Sequence, residues 1–185
     1  MSAFQSLAYK AFPTLFVVGV ILSPPNARAA DAPSDDGVEY INALVEKGKG
    51  SPVKLEGKQS ITTRASFRPP VQVTIVAKTD STDLRVGYAA KQVIFNWSEG
   101  RSELRVDGGP ANGQHKAGAG LIPTNKYVTI KWVVTRSKQT IYVDGELRYE
   151  HSGDYSTIDD PVSVFSNKSN VTVRTIKVKP LAPAP

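Results

Sequence analysis

The chain contains no cysteine, and that absence excludes disulfide staples, thiolate metal sites, thiol catalysis and a lipid-modified cysteine anchor. Only two histidines occur. His115 and His151 have no second histidine at ligand spacing, which reads each as a loop residue rather than part of a metal site. Apolar runs are short beyond residue 30, so no later segment offers the ~20 residues a spanning helix needs. A concentrated basic stripe is also missing from the linear sequence; the lysines and arginines are dispersed at strand ends and turns, which argues against a nucleic-acid partner. No Gly-x-Ser-x-Gly elbow is present to support a serine triad.

What the 185 residues do contain is turn chemistry and β-formers. Thirteen prolines and fourteen glycines rule out a coiled coil or helical bundle as the main body. Residues 12–22 (FPTLFVVGVIL) form an apolar run behind Lys10, followed by Pro24-Pro25 and then Ala27-Arg28-Ala29. This is the pattern of a signal peptide over 1–29, with Ala27 and Ala29 as the small residues before the cut. Removing it takes away Lys10 and Arg28 and leaves 21 cations against 17 carboxylates. The expected destination is secreted or periplasmic, with no membrane span after cleavage. Residues 30–37 (ADAPSDDG) have linker composition, the ordered domain runs over 38–181, and 182–185 close a Pro-rich tail.

At the start of the domain Val38, Ile41 and Val45 fall on one helical face, with Asp36 and Glu39 in capping positions and Gly48 as a stop; this predicts one short N-terminal helix, with a strand as the alternative. After Gly50 the apolar period becomes two. Strands are expected at 71–76, 93–97, 104–106, 127–135, 140–143, 146–150, 162–165 and 171–178. Short connections and the lack of any crossover helix make this an all-β, two-sheet antiparallel β-sandwich. Asp144-Gly145 marks a type I′ hairpin. Val171 and Val173 share one phase while Ile176 and Val178 share the other, so a bulge is expected near Arg174-Thr175. Residues 107–125 lack strand character, hold five glycines and read as a long functional loop.

The segments KYVTIKW, QTIYVDGEL, PVSVF and VTVRTIKVKPL, with a weaker match in QVTIVAKTD and LRVGYAAKQVIFNW, resemble the concanavalin-A-like lectin/glucanase superfamily. They are similar in particular to laminin-G-like jelly rolls and to bacterial secreted 3-keto-disaccharide hydrolase-like domains. The resemblance spans residues 53–181. It implies a jelly roll and a saccharide or cell-surface partner, and it leaves lectin, adhesion domain and glycosidase all open. Laminin-G-like modules often hold Ca²⁺; Asp80, Asp83, Asp107 and Asp159-Asp160 offer hard oxygens, but no ligand loop is recognisable, and no cofactor is expected on the residues alone.

Three functions follow from this. The first is a secreted non-catalytic binding module for carbohydrate or a cell-surface protein. Its candidate ligand residues are Asn96, Trp97, Arg101, Asn112, His115, Lys131 and Tyr142, which supply aromatic and hydrogen-bonding groups at loop and outward strand positions. The second is a glycosidase-like hydrolase, for which Glu99, Glu103 and Asp107 are the candidate carboxylates. The Glu-x-Asp-x-x-Glu pattern of laminarinase-like relatives is absent. The third is a structural or adhesion domain with a flat mixed-charge face. Trp132 is read as core, and so is Trp97, because it continues the phase of Val93 and Phe95.

Overall fold

In the segment VQVTIVAKT every second residue from Val71 to Thr79 is buried while the residues between are half-exposed, which is the signature of a strand sealing a core on one side. The same parity recurs along residues 104–107, 128–134 and 160–165, and thirteen strands form in a computed structural model that describes residues 38–39 and 52–182. In chain order they are β1 (Val38–Glu39), β2 (Val53–Gly57), β3 (Ser60–Phe67), β4 (Val71–Thr79), β5 (Leu84–Gly87), β6 (Gln92–Phe95), β7 (Leu104–Asp107), β8 (Gln114–Lys116), β9 (Val128–Val134), β10 (Lys138–Val143), β11 (Glu146–Ser152), β12 (Asp160–Phe165) and β13 (Ser169–Pro180).

Sheet A runs β1-β13-β4-β9-β10-β11, with β2 also paired to β13; sheet B runs β3-β12-β5-β6-β7-β8. Every pairing is antiparallel. The core lies between the sheets, where Val73, Ile75, Ile130 and Ile176 of sheet A meet Val86, Phe95, Val106 and Val164 of sheet B. Burying a β-branched side chain stabilises the fold by roughly 1.5–3 kcal/mol, and without disulfides this burial must carry the stability.

Trp132, 1% exposed, is the largest fully buried side chain. Its indole N–H donates to Gln139 Oε1 at 2.9 Å, so the one polar atom of the ring is satisfied. Tyr88 stands edge-on to it at 6.1 Å and donates its hydroxyl to the Phe67 carbonyl. Burial, helped by the charges of Asp160 and Asp159, pushes the Tyr88 phenol well above its ordinary value.

The expected hairpin forms, with Asp144 at φ 51° and Gly145 at φ 86°. The bulge is at Arg174, where the register of β13 against β4 shifts between Val173 and Thr175. Within the glycine-rich stretch the structure places a strand that the sequence reading lacked, β8, paired to β7. The other correction is at the N-terminal edge. Val38–Glu39, where a helix was expected to start, pair with Val178 and Lys177 as a strand, because β13 extends past β2 and presents unpaired backbone there. The remainder of that helix, the leader, the linker and the end of the tail lie outside the described residues.

Trp132→Ala removes this packing and leaves Gln139 without its indole donor. We expect a loss of about 3–5 kcal/mol, read as a lower denaturation midpoint at unchanged m-value.

Candidate functional site

The outward positions of β5, β6, β7 and β8 gather most of the polar chemistry of sheet B. Two Leu-Arg-Val tripeptides, at 84–86 and 104–106, bury their flanking residues and turn Arg85 and Arg105 to the outer face. Register aligns Arg85, Ile94, Arg105 and His115 across four strands, and Gln92 pairs with Asp107 one step along. Ile94 is 1% exposed between the two arginines although it belongs to the outer phase. The apolar stems of long side chains can shelter an aliphatic residue in this way while their charged heads reach past it.

The heads form a relay. Arg85 donates to Asp83 Oδ1 at 3.0 Å and to Gln92 Oε1 at 2.9 Å; Gln92 donates to Asp107 Oδ2 at 2.6 Å; Asp107 accepts from Arg105 Nε at 2.8 Å. Each planar group is therefore oriented by the next. Asp83 at the inner end is fully buried beside Arg85. Burial raises the Asp107 carboxyl, but hydrogen bonds from Arg105 and Gln92 and the charges of Arg105 and His115 outweigh it and hold the group below the ordinary value near 3.8.

At the other end of the relay the Arg105 guanidinium lies 4.6 Å from the centre of the Trp97 ring, His115 meets that ring edge-on at 5.7 Å, and His115 Nδ1 is paired with Glu103 Oε1. Trp97 is half-buried, not core. Phase alone sends it inward, but Asn96 adopts a left-handed φ of 49° and ends the alternation, so Trp97 swings to the outer face. Gly100 passes close under the ring, where an added Cβ would sit 3.1 Å from it.

The sequence-derived candidates thus separate. Trp97 and His115 come together with Arg105. Asn96 is 0% exposed, and its amide donates to the carbonyls of Ile122 and Ser81 and accepts from the Ile122 N–H, which leaves no group for a ligand. Arg101 lies exposed in the turn after Trp97 and reaches the Ser81 carbonyl. Asn112 closes the glycine turn by accepting from the Gly108 N–H at 2.6 Å. Lys131 and Tyr142 belong to the outer face of sheet A, on the opposite side of the sandwich, with Lys131 Nζ 4.4 Å from the Tyr142 ring.

Of the three candidate carboxylates, Glu99 sits exposed in the turn, while Glu103 and Asp107 share one face of one extended segment. Four residues of extended chain place their Cα atoms about 13 Å apart, with Arg105 between them. Glu103 is paired with His115, and Asp107 is held by Arg105 and Gln92, so each carboxylate is engaged by its own partner instead of facing the other across a groove. The aspartates suggested for Ca²⁺ do not fit a cage either. Asp83 and Asp107 hold arginines, Asp159 holds Arg68, and Asp80 accepts from Asn170 and Ser81. Among the described residues no group of three or more such side chains converges.

A cleft of about 320 Å³ opens beside the relay, floored by Gly87 and Ser163 and walled by the loop through Ala90 and Lys91. Gly109 explains how that loop is held: any Cβ there would lie 2.2 Å from the Ala89 carbonyl oxygen. Arg85, Gln92 and Arg105 were missed by sequence reading. The signal that could have found them is the repeated Leu-Arg-Val, whose central arginine must face away from the core.

No family model and no curated protein sequence matches the chain. Solved structures do match. The exoplasmic/lumenal domain of VIP36, in its Ca²⁺/Man-bound form, superposes with a TM-score of 0.58 over 75% of this chain and 81% of that chain, at 8% identity. The carbohydrate binding module CBM66 from Bacillus subtilis gives 0.51 over 71% and 92%, at 9% identity. Galectin LEC-6 from Caenorhabditis elegans gives 0.51 over 66% and 90%, at 15% identity. At such identities the shared property is the fold, and the chain has the concanavalin-A-like jelly-roll fold that the sequence resemblance implied.

Two measurements check the site's construction. Asn96→Ala removes three hydrogen bonds and strains the left-handed position, whereas Asn96→Gly keeps the backbone freedom; both should lower Tm, the alanine variant by more. A carboxyl depressed in the folded state stabilises above its unfolded pKa and loses that effect as pH falls through its folded value. The stability difference between wild type and Asp107→Asn should therefore be constant near neutrality and shrink below about pH 4.

Proposed function

We propose that this is an exported, non-catalytic carbohydrate-binding domain whose ligand lies on the outer face of sheet B, against Trp97, Arg105 and His115. The observation that carries this reading is the unbroken relay from Asp83 through Arg85, Gln92 and Asp107 to Arg105, ending beside a half-buried tryptophan. Sugar hydroxyls arrive as vicinal donor–acceptor pairs, and planar groups locked by their neighbours meet them without a further ordering cost. Asp107 takes the Nε of Arg105, and the two Nη groups of that arginine make no hydrogen bond to any described residue. The exposed edge of Trp97 supplies apolar area for a pyranose ring beside them.

Export rests on the leader-like segment 12–22 with Ala27 and Ala29. The fold's occurrence in a galectin and in a carbohydrate binding module supports the ligand class without fixing the sugar. A cell-surface partner is then met through its glycans.

The test is a glycan array followed by titration of the best hit. Trp97→Ala and Arg105→Gln should each weaken binding about tenfold or more while Tm stays within a few degrees of wild type. An array without a single hit, or variants that bind as wild type does, would sink the proposal.

A further inference from the structure

The outer face of sheet A carries a second charge pattern, invisible along the sequence because five strands contribute to it. In register across the sheet lie Lys177, Thr74, Lys131, Tyr142 and Leu147, one residue each from β13, β4, β9, β10 and β11. Lys179 and Gln72 pair on the same face two residues further along β13. At the far end of the sheet, Lys78 Nζ stands 5.2 Å and the Arg174 guanidinium 3.9 Å from the Tyr127 ring. Neighbouring strands are about 4.8 Å apart and alternate residues about 6.6 Å, so these cations sample a patch roughly 10 Å by 20 Å.

Lys78 and Arg174 stack on Tyr127 and Lys131 stacks on Tyr142, and neither these three nor Lys177 makes an ion pair among the described residues. The acids of the sheet lie at its margins, where Glu150 holds Lys138, Glu56 holds Lys54 and Asp80 binds Asn170, while Glu39 falls opposite Lys177 in the register of β1. A cation over a tyrosine face keeps its charge and its remaining hydrogens toward solvent, so the centre of the sheet presents donors in fixed places.

We propose that this face binds an acidic polysaccharide, independently of the site on sheet B. The choice of occupant follows from what lies between the cations. Thr74, Gln72, Thr172 and Thr175 interleave with them as half-exposed hydroxyl and amide groups, matching a polymer that carries hydroxyls as well as anions. Lipid insertion calls for apolar wedges between the cations, whereas of the two large exposed apolar side chains Leu147 ends the row at the β11 edge, beyond Tyr142, and Leu121 lies near Arg148 of that same strand. An extended chain that crosses the strands can meet cations on β13, β4 and β9 in turn, and each contact releases counterions from the polymer.

The probes are polygalacturonate and heparin, with neutral dextran, duplex DNA and phosphatidylglycerol vesicles as comparators, titrated into the full chain. Binding to the two acidic polysaccharides, absent for dextran and falling steeply from about 50 to about 200 mM salt, is the expected result. The combined variant Lys131→Gln, Arg174→Gln, Lys177→Gln should weaken it about tenfold or more and flatten its salt dependence. Lys131→Arg with Lys177→Arg should retain it, and Trp97→Ala should leave it unchanged; Tm of each variant reports folding. The proposal is overturned if neither acidic polysaccharide binds at low salt, if the Gln variant binds as wild type does, or if DNA or vesicles bind more tightly. Loss of acidic-polysaccharide binding in Trp97→Ala also overturns it, because the ligand then sits on sheet B and that site's reading stands.

Discussion

Side-chain parity is the constraint on which the rest of this molecule depends. A strand has two faces, and shifting its phase by one residue exchanges them. Along β4 the inward set is Val71, Val73, Ile75, Ala77 and Thr79, all buried, and β9 and β13 supply matching sets on either side of it. With no disulfide to tolerate a misplaced register, any slip would drive Gln72, Thr74 and Lys78 into the core, and burying a lone ammonium costs far more than a valine contributes. The outer faces are therefore fixed as firmly as the core they back. Whatever they present is presented rigidly.

Two deliberate breaks in that parity put the reactive groups where they are. At Asn96 the backbone turns left-handed, and the side chain that would otherwise be the next core residue, Trp97, joins Arg105 and His115 outside. The cost of the left-handed turn is offset by the Asn96 amide, which locks the segment around Ile122 with a donor and an acceptor at 2.9 Å each. At Arg174 one extra residue lets Val173 and Ile176 both face inward while the arginine reaches across to Tyr127. In each case a local irregularity that leaves the core unbroken turns a cation or aromatic toward solvent.

This explains what could be read from the sequence and what could not. The strands over 71–79, 128–134, 138–143 and 169–180, the Asp144-Gly145 turn and the bulge are all consequences of apolar period and turn chemistry, which are local, and they were legible. The placement of Trp97 was not, because alternation predicted its burial and only the conformation of Asn96, with partners 15 and 26 residues away, reverses it. The relay was hidden for a related reason. Asp83, Arg85, Gln92, Asp107 and Arg105 come from three strands and their flanks, and no spacing rule links them; what the sequence held was the parity of each arginine taken singly. Likewise the basic residues looked dispersed because a sheet collects one or two from each strand. Dispersion along the chain says little about concentration on a face when strands are only about 4.8 Å apart.

The relay and the basic face differ in how charge is handled, and the difference follows from burial. Arg85 and Asp83 are largely withdrawn from water, so removing either partner would strand the other, and this end of the relay is a structural anchor rather than a contact surface. Moving outward, Asp107 and Arg105 are progressively wetter, and it is there that hydrogen-bonding capacity remains for a ligand. On sheet A the cations sit over tyrosine rings with water around them, so their interactions are long-ranged and screened by salt. One face is thus suited to short-range recognition by geometry and the other to attraction by charge. They lie back to back across a core about 10 Å thick that is close-packed and transmits little beyond strain.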